Sequence, residues 1–428
     1  MPSRVMVCMA SCVLLFCQSA LHALGAEPPA TAIERLDRAQ AALRDSHKRS
    51  DWAAYRMAAE QIKELLNGSP QSRLEMARAE IHVGETTAAL DELTTYVRMG
   101  QSSEAIDKLP DFEALRQRKE FATVRTSMAA NREVVSHSTV AFHIPDPGLL
   151  PEDIDFDSRA QRFLISSVLQ HRIVAVAADG ALTEFAKAPD DWPVLALKIE
   201  TSRNVVWATE VAMEGFDSVP KSDRGRSAVV CYDLNTGKLL RRIEAPRPSA
   251  PGDMALMANG NLIVTDGEHG GLYRLKTGAD QLERLDQGDF ISPQTVAMAS
   301  DATHVYVPDY VRGLGIFDLE TKHVQWLPMA GRFALDGIDG LYRVGNRLIA
   351  VQNGASPQRV VVFATDAAAT KMVAESAIER ATATLGVPTH GVIVGDAFYY
   401  IANSGWDAME SGAKRTPALV MKWKLPPI

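Results

Sequence analysis

Six stretches of this chain read alike, and that repetition limits the fold more than any other feature. The first, Leu150–Val168 (LPEDIDFDSRAQRFLISSV), is an alternating strand, a polar turn and a second alternating strand. The pattern returns from Val194 (VLALKIETSRNVVWAT), Pro251 (PGDMALMANGNLIVTD), Pro293 (PQTVAMASDATHVYVPD), Ile338 (IDGLYRVGNRLIAVQN) and Thr389 (THGVIVGDAFYYIAN). Units of several short strands, recurring every roughly 40–50 residues, cannot bury both faces alone and must stack on their neighbours. Six of them predict a mainly β chain: a six-bladed β-propeller over 136–428, preceded by a small α-helical domain.

That domain, 30–132, shows a helical period: Ile33, Leu36, Ala39 and Leu43, then Tyr55, Ala58, Ile62 and Leu65, then Leu74, Ala77 and Ile81. Gly84 ends one helix and Ala88–Val97 forms the next. Pro110–Val124 predicts a further amphipathic helix, with Phe112, Leu115 and Phe121 on one side. Beyond Asn131 the period falls to two, through Val140, Phe142 and Ile144. The last repeat has only three good strands, so Ser138–Ile144 is expected to supply its fourth and remove the open sheet edges. The second repeat carries a polar insertion, Glu210–Ser227, expected as a rim loop or lid.

Charge and leader narrow the partners. A formal charge of −8 without a basic cluster argues against nucleic acid and anionic membranes. Met1–Ala26 carries Arg4, an apolar run from Val5 and the small residues Ala23, Gly25 and Ala26, which predicts an export signal and a periplasmic or secreted protein. Three of the four cysteines lie in that leader. Cys231 alone remains, so no internal disulfide is available. No other apolar run approaches the ~20 residues of a membrane span, so no transmembrane segment is expected once the signal is removed.

In a propeller the start of each innermost strand faces the central channel. That places Glu152, Leu195, Asp253, Gln294, Asp339 and His390 around one mouth. Three carboxylates and an amide are hard donors suited to Ca²⁺, Mg²⁺ or Mn²⁺, with His390 able to join. Without a cation, repulsion would drive one carboxylate to hold a proton. The competing reading is a channel lined by solvated polar groups. His390 either shuttles protons or only hydrogen-bonds a neighbouring carboxylate. A second ring, at the ends of the next strands, comprises Ser167, Glu210, Asp266, Asp309, Asn353 and Asn403. Most of these suit turn capping. Asp309 with Tyr310, and Asn403 with Trp406, pair a polar group with an aromatic and are the candidate substrate contacts. No Ser–His–Asp order, glycine-rich phosphate loop or CxxC pair exists to support other chemistries.

The triplets PED, PQT, IDG and THG, with Asp336–Gly354 (DGIDGLYRVGNRLIAVQNG) and Pro388–Ser404 (PTHGVIVGDAFYYIANS), resemble the regucalcin/gluconolactonase family over 136–428. The resemblance implies a divalent metal, often calcium, held at one mouth by a Glu, an Asn and an Asp. The Glu matches Glu152, the Asp matches Asp339, the Asn falls on Gln294, and Gly252-Asp253 stands where the third blade would carry an Asn. Within the helical domain Met76–Leu93 (MARAEIHVGETTAALDEL) resembles a tetratricopeptide repeat, which implies a peptide groove for a protein partner; the plainer alternative is a cap or spacer. The combined expectation is an exported metal-dependent hydrolase of a lactone or ester. Its metal ligands would be Glu152, Gln294, Asp339 and Asp253, and Asp339 and His390 its catalytic groups. The alternative is a non-catalytic propeller that binds a ligand or protein, with a helical docking region.

Overall fold

The computed structural model describes residues 29–426, apart from 178–179, 330 and 367–369. The expected export signal lies outside the described residues. The strands form six antiparallel sheets arranged as a six-bladed propeller. Blades 1 to 5 run Pro151–Lys187, Val194–Glu244, Pro251–Arg284, Ala297–Trp326 and Gly340–Arg380. Blade 6 combines Gly391–Val394, Ala397–Asn403 and Ala418–Lys424 with Thr139–Ile144 from the start of the propeller.

That last pairing is the closure expected from the sequence. Thr139 stands opposite Lys422 and Ile144 opposite Ala418, while the Tyr400 hydroxyl donates to Ser138 Oγ at 3.0 Å. Ile144 is fully buried with Ile154, Ile165, Val174, Ile401 and Val420, so the closing strand fills the seam between blades 6 and 1. Every blade is buried on both faces in the same way. Val205–Val211 is buried at each position, which explains why its sequence is a near-continuous apolar run rather than an alternating one. Leu164, Val194, Val206 and Val230 join blades 1 and 2; Ile349, Val360, Phe398 and Tyr400 join blades 5 and 6. Cys231 lies buried as a free thiol, and burial pushes its pKa up to about 11.

The helices are α1 (Ala32–Lys48), α2 (Trp52–Leu65), α3 (Pro70–His82), α4 (Thr86–Arg98), α5 (Glu104–Lys108), α6 (Glu113–Arg116) and α7 (Phe121–Asn131). Thr31 and Glu34 close a capping box on α1, and Gly84, at φ +85°, makes the turn from α3 to α4 that a side chain would strain. The single helix expected over Pro110–Val124 is instead broken into a 3₁₀ turn, α6 and the start of α7. Phe112, Leu115 and Phe121 are all fully buried in one core, and Arg116 donates to the Ile106 and Leu109 carbonyls, so the chain bends to deliver the three side chains inward.

Blade connectivity decides where this domain can sit. In a four-stranded antiparallel blade the first strand starts at the end where the second-to-third turn and the link to the next blade also lie. The helices dock on that end, over blades 3 to 5. Ala32 N–H donates to the Gly288 carbonyl at 2.8 Å, Asn67 to Leu327 at 2.8 Å and Arg98 to Gly331 at 2.7 Å. Ser356 Oγ donates to the Ser102 carbonyl at 2.6 Å, and Leu36, Ala39 and Ile62 pack on Ile291. The helical domain therefore flanks the mouth at which the inner strands begin.

Closure gives a stability prediction. Ile144→Ala should lower unfolding free energy by about 2–5 kcal/mol, the usual cost of emptying a buried site. Val140→Ala, on the same strand but 51% exposed, should change it by no more than ~0.5 kcal/mol. Urea unfolding of the two variants checks this; equal effects would contradict the seam.

Candidate functional site

The inner strands of blades 1, 2 and 3 each begin with a register shift, between Pro151 and Ile154, Val194 and Leu197, and Pro251 and Asp253. Such bulges set an extra residue against the partner strand and re-aim side chains. In blade 1 this lets two consecutive acids do different work. Asp153 accepts from Leu197 N–H at 2.9 Å and from Lys198 Nζ at 2.7 Å, tying blade 1 to blade 2. Glu152 instead accepts from the Trp406 indole at 2.6 Å.

His390, immediately before the inner strand of blade 6, lies between several of these groups. Its Nδ1 is 2.9 Å from the Glu152 carbonyl oxygen, which assigns the proton to Nδ1. Its Nε2 is 2.5 Å from Asp253 Oδ1, yet the buried Nε2 makes no aligned hydrogen bond. Asp253 Oδ1 also accepts from Thr295 Oγ1 at 2.6 Å. Asp339 accepts from Asn353 Nδ2 at 2.7 Å, and Asn353 Oδ1 in turn accepts from the Tyr310 hydroxyl at 2.9 Å. One ligand atom each from Glu152, Asp339 and His390 lie within 4.8 Å of one another.

Charge at this mouth is unbalanced. Asp153 has Lys198, but Glu152, Asp253 and Asp339 share one imidazole. Asp253 and Asp339 are 3% and 8% exposed, while the Glu152 side chain, at 14%, is the most accessible of the three. Burial, then the charge of Asp339, raises the Glu152 pKa; burial, opposed by His390 but reinforced by Asp253, raises that of Asp339. Burial opposes a charged His390, yet Asp253 and Asp339 hold its pKa well above the ordinary value. A site so arranged retains protons or takes up a cation. The donors fit a divalent ion that takes mixed oxygen and nitrogen ligands: two carboxylates converge with His390 Nε2, buried and unaligned with its neighbour, and the bond at Nδ1 leaves Nε2 as the ring nitrogen that would give up its proton to ligate.

The remaining residues singled out from the sequence divide clearly. Gln294 donates its amide to Ser292 O at 3.3 Å and Ser292 Oγ at 3.1 Å, so His390 stands in the converging group where Gln294 was expected. Asp309 is completely buried, and its carboxylate accepts from the backbone N–H groups of Ile291, Ser292, Val311 and Arg312. It fastens the turn, as Asp266 does in blade 3, and offers no free oxygen pair to a substrate. Asn403 packs on Gly386, where a Cβ would lie 2.8 Å from its Oδ1. Tyr310 and Trp406 do reach the cluster, as hydrogen-bond donors to Asn353 and Glu152. Leu195 belongs to an apolar roof with Leu150, Val168, Phe216 and Val219, against which Trp406 and Met409 pack. Phe216 and Val219 come from the blade 2 insertion, and Trp406 begins α8 (Trp406–Ser411), so the expected rim loop lies down over one side of the mouth.

Sequence reasoning missed Asp153, Lys198 and Thr295, and took Asn353 for a turn cap. One signal was present: Lys198 is the single charge between apolar residues in VLALKI.

No protein-family model matches the chain, and no curated protein matches it. Solved structures do match its architecture. A gluconolactonase from Xanthomonas campestris is 14% identical with a TM-score of 0.47, over 69% of this chain and 98% of that one. Regucalcin from Agrobacterium tumefaciens, a calcium-binding protein, is 16% identical with a TM-score of 0.45, over 68% and 97%. The PQQ-bound aldose sugar dehydrogenase from Streptomyces coelicolor is 13% identical with a TM-score of 0.48, over 68% and 98%.

The electrostatics generate a pH prediction. Glu152, Asp339 and His390 all have raised folded-state pKa values, so the ion-free fold holds more protons here than the unfolded chain. Their contribution is complete at low pH and is lost as pH rises above the usual carboxylate range and, for His390, through its raised value. A divalent cation held at this site would replace those protons. The gain in melting temperature on adding Mn²⁺ or Ca²⁺ to chelator-treated protein should therefore be larger at about pH 8 than at about pH 5. Melting curves across that range check it; a gain independent of pH would contradict it.

Proposed function

We propose that this chain is an exported, metal-dependent hydrolase that opens a lactone or ester at the propeller mouth. The observation that carries the reading is the convergence of Glu152, Asp339 and His390, with the buried Nε2 of His390 lacking an aligned partner. These three residues would hold the cation, and their mixed oxygen and nitrogen donors suit manganese better than calcium or magnesium. When bound, such a cation polarises a carbonyl and stabilises charge that develops on its oxygen.

The chain's own groups supply the rest. Asn353, itself held by Tyr310, fixes one Asp339 oxygen and leaves the other free to accept a proton from attacking water. Water oxygen bonds to the carbonyl carbon, the ring C–O bond breaks, and the departing oxygen takes up a proton. The Glu152 carbonyl holds the His390 ring at Nδ1, and Trp406 holds the Glu152 carboxylate. The roof formed by Phe216, Val219 and Trp406 shields that side of the mouth from bulk water.

Two variants test this. Asp339→Asn keeps the size of the side chain and should abolish both cation-dependent stabilisation and lactone opening, followed as proton release at constant pH, by at least ~100-fold. Trp406→Phe removes the hydrogen bond to Glu152 while keeping an aromatic ring in the roof, and should weaken cation affinity by about 10–100-fold, as loss of a ligand's supporting partner does. Cation-loaded protein that opens no member of a panel of lactones and esters, or an Asp339→Asn variant with full turnover, would overturn the hydrolase in favour of a binding propeller.

A further inference from the structure

A cavity of about 440 Å³ lies where α1 and α2 meet blade 4, lined by Arg35, Arg38, Ala39, Gln61, Glu64, Leu65 and Arg312. Three arginines face it against a single carboxylate. Among the described residues neither Arg35 nor Arg38 forms an ion pair; Glu64 lines the cavity with them, and three further acids nearby are committed elsewhere. Glu34 closes the cap on α1, Asp309 binds four backbone N–H groups, and Asp289 accepts from Gln287 N–H.

Arg312 is the anchor of this cavity. Its guanidinium lies over the Trp326 ring, 4.2 Å from the centroid, and Nη1 donates to the Asp289 carbonyl at 2.8 Å. Its Nε is buried with no hydrogen-bond partner. An arginine held rigidly by stacking, with an unused buried donor, is preorganised for the fork geometry of a carboxylate or phosphate. Burial lowers the Arg312 pKa, and the charge of Arg35 lowers it further, against the pull of Asp309 and Asp289; an arriving anion would relieve that opposition. Ala39, Leu65 and the arginine stems supply apolar wall, so the room exceeds what a bare ion needs.

We propose that this cavity is a binding site for a small organic oxyanion, a carboxylate or phosphate ester, gripped by Arg35, Arg38 and Arg312. The site is separate from the acidic mouth and of opposite charge. It shares a backbone segment with it, because the turn that presents Arg312 to the helices also presents Tyr310 to Asn353.

Calorimetric titration of the whole protein tests this, stripped of cations and then dialysed free of chelator, so that no anion is held through a cation and no chelator carboxylate competes. Inorganic phosphate and glucuronate serve as separate probes and distinguish phosphoryl from carboxylate recognition. At least one should saturate near one per chain, and Arg35→Gln and Arg312→Gln should each weaken it tenfold or more. Arg159→Gln, on blade 1, should leave it unchanged. If Arg312→Gln does not fold, the Arg35→Gln, Arg38→Gln double variant, which alters only exposed side chains, gives the decision. Absence of saturable binding for both probes, or equal binding by wild type and the cavity variants, would overturn the site.

Discussion

The pairing of Thr139–Ile144 with Ala418–Lys424 is the interaction on which everything else rests. Six sheets stacked face to face still leave two open edges, and only a strand shared between the chain's beginning and end turns the row into a ring. Closure brings together inner-strand starts that are far apart in sequence: Glu152 lies 238 residues from His390, whose ring touches its carbonyl. An open row of blades would spread these groups apart. The charge cluster at the mouth is therefore a consequence of the seam that the buried Ile144 fills.

Closure also concentrates negative charge in a poorly solvated place, and the fold manages it in two ways. Lys198 neutralises Asp153 through a close ion pair inside the channel, and Asp155 beside it accepts from Ile199 N–H, with burial pushing its pKa up to about 6. The second group, Glu152, Asp253 and Asp339, is left with His390 and with neutral donors from Trp406, Thr295 and Asn353. Neutral donors orient carboxylates without cancelling their charge. A structural network would be expected to contain its own counter-ions, as the first group does. The deficit in the second is what a divalent cation would fill.

Much of this was legible in the chain because propeller geometry turns sequence position into spatial position. Once the inner-strand starts were located, Glu152, Asp253, Asp339 and His390 fell on one mouth without further information. The closing strand was legible for the same reason: a last repeat one strand short requires a donor elsewhere. What could not be read was set by local detail. Whether Gln294 or His390 joins the converging set depends on where one amide finds its partners, here Ser292. Asp309 looked like a substrate contact beside Tyr310, but four backbone N–H groups consume it. The break in the Pro110–Val124 helix follows from a core that takes Phe112, Leu115 and Phe121 from different directions, which periodicity does not encode.

The central claim is that the ion-free mouth is an incomplete charge arrangement which one divalent cation completes. Crystals of the whole chain grown with Mn²⁺ and measured at the manganese absorption edge address it directly. The account predicts one anomalous peak in the channel, within bonding distance of carboxylate oxygens from Glu152 and Asp339 and of His390 Nε2, with the Asp253 contact to that nitrogen broken. A mouth without anomalous density, in crystals soaked to saturation and with His390 still against Asp253, would contradict it.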